Sequence, residues 1–367
     1  MAENVKFWQL PKAYALGMKE QSKYKWWKPL VALLLSFALF IGFVVVIAIL
    51  VMVVAVAVYS MAGADQATIA TSSLMDYSSD SYIGVDGNDP IGLAIVFLSV
   101  IIMLPCVGLA NKIMGLGGFG RLSSVEGKLR WKRLFTYLLW ALLVVVVVDA
   151  IEIALGVFIG GEELPEMRFA LPAIIVIIIM CPLQCAAEEY VCRGFFMQMF
   201  GSWIPLVIIP MILQALIFMV MHGYDELGLA SVLVTGLVAG FLTLKTGGLE
   251  AGISMHTANN VISFIISAIF VGAETTSEVS IEGFVMSVVV DLLFLVVLYQ
   301  VSKRKGYLLD KDFKTPAMLA KEAALKASAD AAVAAMGAEA GAPADAEVVA
   351  ASTDAASAAT DESAADE

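Results

Sequence analysis

The sequence predicts an all-α membrane protein, a polytopic transmembrane bundle of about eight helices with a disordered cytoplasmic C-terminal tail. Three observations lead there. Of the 367 residues, 60% are hydrophobic and the mean hydropathy is +0.88, against about 45–50% apolar residues in a soluble domain. The apolar residues fall in eight segments, most near the roughly 20 residues that a helix needs to cross a bilayer. Lys and Arg collect in some connections and avoid others, as the positive-inside rule expects of a chain woven through a membrane.

Residues 1–28 are a polar segment rich in lysine (Lys6, Lys12, Lys19, Lys23, Lys25, Lys28), with Trp26 and Trp27 at the water–lipid boundary. The apolar run over 29–61 is far longer than a signal-peptide core of about 7–15 residues, so it reads as an uncleaved first transmembrane helix. A loop without Lys or Arg follows over 62–89, then a second span over 91–114 and a basic loop carrying Arg121, Lys128, Arg130, Lys132 and Arg133. The third span covers 134–159 and leads into an acidic loop (Glu162, Glu163, Glu166). Spans four to eight are expected over 169–190, 204–222, 227–244, 249–272 and 284–301, closed by Lys303, Arg304 and Lys305. Both termini in the cytoplasm satisfy every one of these loops. The chain divides into the 1–28 segment, helices one and two over 29–128, a core over 129–302 and a tail over 303–367.

Residues 316–336 are alanine-rich and helix-compatible; the remainder of the tail lacks the apolar surface to offset its ordering entropy. Much of the net charge of −12 lies in that tail, and no nucleic-acid-binding footprint is present. The four cysteines, Cys106, Cys181, Cys185 and Cys192, form no CxxC pair and read as small hydrophobes. The GxGxxG at 115–120 follows a transmembrane segment instead of joining a strand to a helix, so it reads as a turn. Gly236 and Gly240 form a GxxxG that lets a neighbouring helix approach closely. Asp149 and Glu152 share a face near a helix end, and Asp291 is a candidate for a polar interior.

Charged groups inside apolar segments cost several kcal/mol, about 2.5–3.5 each on insertion scales, so Glu188-Glu189-Tyr190-Val191-Cys192-Arg193 demands partners. Glu189 and Arg193 are four apart with the acid first, the favourable order for an ion pair along a helix. Glu188 then points about 100° away and is available for chemistry; the plainer reading is an interfacial cluster that ends the fourth helix at Arg193-Gly194. The chain has only two histidines. Phe218 and His222 share one helix face, and His256 and Asn260 another. Such groups activate water and stabilise an oxyanion.

EExxxR at 188–193, FxxxH at 218–222 and HxxxN at 256–260, in this order, resemble the CPBP intramembrane proteases. That family includes CAAX prenyl endopeptidases and Abi-type bacteriocin-processing and self-immunity proteins, and the resemblance covers roughly residues 130–300. It implies a helical membrane fold in which Glu188 is the general base, helped by His222. His256 and Asn260 would stabilise the oxyanion, with Glu189 and Arg193 holding the site together. One departure is Cys192, where the family often has an aromatic residue; it bears on packing beside the site.

Two drawings of the chemistry stand side by side. In one, a metalloprotease site, Glu188, His222 and His256 ligate zinc, which lowers the pKa of a bound water. In the other no metal is bound and Glu188 takes the proton directly. HExxH is absent, and a split into base and oxyanion donors fits the metal-free drawing better. The expected partners are the lipid bilayer and a membrane-embedded or lipidated peptide substrate, in a bacterial plasma membrane. The competing functions are a non-catalytic immunity or scaffold protein of the same fold and a transporter, although no internal repeat supports the latter. Depth sets a condition: Glu188 and His222 are level only if the fourth helix is long and the turn after it lies near Pro205.

Overall fold

The structure is a computed structural model that describes residues 6–61, 86–161, 163, 165–271 and 278–340. The loop over 62–85, Glu162, residues 272–277 and the tail beyond 340 lie outside the described residues. Residues Met1–Thr315 form one compact unit and Pro316–Glu367 a second. The second contains the alanine-rich helix anticipated from its composition, over Pro316–Ala340.

The first unit is helical throughout its apolar segments. Helix α1 (Lys28–Met61) is followed by α2 (Pro90–Ile101) and α3 (Met103–Ile113), which together form the second span. They break at Ile102 because Pro105 has no N–H for the Ile101 carbonyl and its ring crowds that carbonyl. The glycines at 115–118 make the turn read from the sequence, with Gly117 at φ 101°, a left-handed conformation that L side chains resist. The short α4 (Gly118–Ser123) and α5 (Trp131–Leu155), with its π extension Gly156–Gly160, come next.

The fourth span is longer than the expected 169–190. Helix α6 (Leu171–Glu189), a π segment (Tyr190–Phe196) and α7 (Met197–Trp203) run as one span of 33 residues. Arg193-Gly194 therefore does not end the helix: the guanidinium finds its counter-charge on the same helix and need not reach water. The turn falls at residues 204–207 and includes Pro205, which meets the condition for levelling Glu188 with His222.

Helices α8 (Ile208–Val220), α9 (Glu226–Thr246), α10 (Glu250–Ile269) and α11 (Ile281–Lys305) complete the unit. Asp225 and Ser280 cap α9 and α11 by accepting from Gly228 N and Gly283 N at 2.8 and 3.0 Å, and left-handed Gly247 and Gly306 end the same two helices. Six spans among the described residues are long and apolar enough to cross a membrane; α8 is apolar but short. The chain is an all-α integral membrane protein.

Two apolar clusters meet on α10. One joins Tyr137, Ala141, Val238, Leu242, Met255 and Phe294; the other joins Leu93, Phe97, Ile177, Cys181 and Ala268. Residues Glu250 to Ala258 of α10 are buried without interruption. That burial explains how a comparatively polar helix sits in the bundle, since its neighbours screen it from lipid. The glycines of the GxxxG do bring α9 against α8: a Cβ on Gly236 would stand 3.0 Å from Ala215 Cβ.

The two ends of the unit differ in charge. At one end, Lys28 Nζ donates to the Met114 carbonyl at 3.1 Å and Arg133 lies 4.5 Å above the Tyr307 ring. The N-terminal segment is built into this end instead of trailing from it. Tyr14 is buried and donates to the Leu122 carbonyl, Glu20 pairs with Arg121, and Lys245 Nζ reaches the carbonyls of Lys6 and Gln9 at 3.0 Å. Burial pushes the Glu20 carboxyl above its ordinary value, against the opposing pull of Arg121 and Thr315. At the other end Arg168 pairs with Asp86 at 2.6 Å and donates to the Ser267 and Ala268 carbonyls, while Asp225 accepts from Val279 N.

Candidate active site

The π segment starts one residue after Glu189. Widening the helix there changes the direction of side chains without leaving the helical path, and such segments recur at functional sites. Arg193 is fully buried, with Nη1 2.9 Å from Glu189 Oε1, an ion pair at close range and not an aligned hydrogen bond. Its guanidinium lies 4.1 Å from the Phe218 ring centre, a cation–π contact that helps hold a desolvated charge. The intrahelical pairing read from the sequence is present.

His256 comes to this pair from α10. Its Nδ1 lies 3.2 Å from Glu189 Oε1 and its Nε2 3.4 Å from Glu188 Oε2. One imidazole thus spans the two adjacent carboxylates, and the ring orientation is set from both sides. Glu188 is mostly buried, with 11% of its side chain exposed.

The end of α8 supplies the second histidine. Phe218 is buried and meets both imidazoles edge-on, His222 at 4.7 Å and His256 at 5.8 Å between ring centres. His222 Nδ1 lies 2.7 Å from the Phe218 carbonyl oxygen, so its Nε2 is the nitrogen left for other work. Tyr224 stacks on His222 at 5.7 Å. Burial first, and then the nearby Glu188 charge, push the Tyr224 phenol above its ordinary value.

A cavity of about 350 Å³ opens among α8, α9, α10 and α11, and His222, His256 and Asn260 line it. Asn259 Nδ2 donates to Asn260 Oδ1 at 3.2 Å, which leaves Nδ2 as the donor of Asn260. All six residues singled out from the sequence therefore lie in one region: Arg193, Glu189, His256 and Glu188 in a chain of contacts, His222 across Phe218, and Asn260 one turn beyond His256. Asp291, read only as a candidate for a polar interior, also lines the cavity, where Thr235 Oγ1 donates to its Oδ2 at 2.7 Å. Thr235 and Tyr224 were not singled out; hydroxyls in apolar helices are too common to stand out without a third dimension. Asp149 is partly exposed and Glu152 exposed.

The candidate zinc set fares differently. Glu188, His222 and His256 are not grouped as a ligand set: His256 lies against the two carboxylates, and His222 turns Nδ1 to its own helix. Among the described residues no three His, Cys, Asp or Glu side chains are grouped to hold a metal ion. The donor arrangement does not fit the metal.

A family model described as Type II CAAX prenyl endopeptidase Rce1-like matches residues 170–262, a stretch containing all six of these residues. YyaK, an uncharacterized protein of Bacillus subtilis (strain 168), is 27% identical over 185 residues, which make up 47% of this chain and 61% of that protein. The match thus takes in less than two thirds of the relative's length. No solved structure matches the chain. The resemblance carried by the three motifs is borne out over the matched stretch.

Proposed function

We propose, from the Rce1-like character of residues 170–262, that this chain is an intramembrane endopeptidase hydrolysing peptide bonds of membrane-associated or lipidated peptides. The observation that carries the reading is His256, held between Glu188 and Glu189 on the wall of a polar cavity. Glu188 takes a proton from water as the water oxygen bonds to the scissile carbonyl carbon. His256 and Asn260 donate to the resulting oxyanion. The proton then passes from Glu188 to the leaving nitrogen as the C–N bond breaks, giving a carboxylic acid and an amine. His222 helps hold the water, and Glu189 with Arg193 fixes His256. In this reading both termini are cytoplasmic and the membrane is a bacterial plasma membrane.

The test is cleavage of a membrane-presented peptide library by purified protein, wild type beside Glu188→Ala, with and without chelator. Cleavage that survives chelator and is lost in Glu188→Ala supports the reading. Cleavage lost in chelator contradicts the metal-free chemistry. No cleavage by folded wild-type protein would leave the non-catalytic immunity or scaffold role.

A further inference from the structure

The cavity carries one acidic group that the hydrolytic chemistry does not use. Asp291 sits on α11, 3% exposed, with Thr235 donating to one of its oxygens. Among the described residues no Lys or Arg lines the cavity, and none forms an ion pair with Asp291. Arg193 and His256 are the basic groups nearest to it in effect, but Arg193 is paired with Glu189 and His256 lies between Glu188 and Glu189. Glu188, Glu189 and Asp291 therefore share one guanidinium and one imidazole. A carboxylate in a water-poor interior is costly without a counter-charge.

We propose that Asp291 is a specificity-determining residue, and that the cavity receives a cationic side chain, Lys or Arg, of the peptide substrate. This rests on the peptidase reading and names its substrate class. The excess of negative charge attracts a cation and repels a carboxylate. Thr235 Oγ1 is committed to Asp291, but the Ser231, Ser263 and Ser287 hydroxyls, from α9, α10 and α11, also line the cavity and offer acceptors for the remaining N–H donors of an ammonium or guanidinium. A prenyl or acyl chain would set the Ser263 and Ser287 hydroxyls and the Asn260 Nδ2 donor against an apolar occupant, which carries a cost. Phe294, three residues along α11 from Asp291, also lines the cavity, so the stem of a long cationic side chain can meet an aromatic ring while its head meets the carboxylate.

The test uses full-length protein in lipid vesicles and membrane-anchored peptides that differ at one position, occupied by Lys, norleucine or Glu. Cleavage by wild type and by Asp291→Asn is compared, and binding of the same peptides is measured on Glu188→Ala, which cannot turn over. The expected result is a preference for Lys over norleucine of about tenfold or more in kcat/KM, equivalent to about 1.4 kcal/mol. That preference should appear in KM and vanish in Asp291→Asn while norleucine peptides are still cleaved. Asp291→Lys should favour the Glu peptide, which guards against reading a folding defect as lost recognition. Cleavage with no preference, or a preference kept in Asp291→Asn, overturns the proposal. Preferential binding of the Lys peptide without cleavage by wild type would overturn the peptidase reading alone.

Discussion

Glu189 Oε2 lies 2.6 Å from the point where a Cβ on Gly252 would stand. Helix α10 passes the carboxylate with only a hydrogen between them, and His256 is one turn further along the same helix. Gly252→Ala should improve local helix propensity by up to about 1 kcal/mol yet displace Glu189 from both His256 and Arg193. Cleavage should fall on the order of 10²-fold, the cost of a small misplacement in a preorganised site, and overpacking against Glu189 should offset or exceed the propensity gain. Unchanged activity would show that the carboxylate position is not critical.

Arg193 is buried with Glu189, and neither reaches water. Arg193→Met leaves Glu189 as an uncompensated buried charge and should lower stability by about 3–5 kcal/mol. Adding Glu189→Gln should recover part of that stability without recovering activity. Denaturant unfolding in detergent, beside a cleavage assay, separates the two effects.

A second ion pair supports α10 from the basic end. Arg130 donates to both oxygens of Glu250, at 2.8 and 2.6 Å, and its backbone N–H donates to the same carboxylate at 2.9 Å. Burial alone would lower the Arg130 guanidinium, but the Glu250 hydrogen bonds and charge hold it above its ordinary value. Glu250→Gln should cost about 3 kcal/mol or more, read as a lower unfolding midpoint. Gly248 makes the bidentate contact feasible, since a Cβ there would stand 2.2 Å from Arg130 Nη2.

The close contact of α8 and α9 is open to the same kind of test. A Cβ on Gly240 would stand 2.6 Å from Gln214 Nε2, the atom that donates to the Gly236 carbonyl. Gly240→Val should overpack this seam and cost about 1–3 kcal/mol, measured by thermal unfolding in detergent.

Most of the bundle was legible because bilayer thickness and charge bias act on short stretches of chain. The Glu189–Arg193 pair was legible for the same reason: i,i+4 spacing is local. What escaped the sequence depends on distant contacts. Arg130 and Glu250 are 120 positions apart, and nothing near either residue announces the other. The burial of Tyr14 escaped likewise, since a lysine-rich segment reads as solvated, and the continuation of the fourth span to Trp203 was legible only as a condition for levelling Glu188 with His222. The zinc alternative could not be weighed from the sequence: residue types suggest ligands, but only their grouping in three dimensions bears on whether a metal could be held.

The most direct measurement compares wild type with Glu188→Gln on one cleaved peptide in vesicles. The near-isosteric amide keeps the contact to His256 but cannot accept a proton from water. A fall in kcat of about 10²–10⁴-fold, the range for loss of a positioned base, with stability and peptide binding intact, is the predicted result. Cleavage by Glu188→Gln at the wild-type rate would contradict the account.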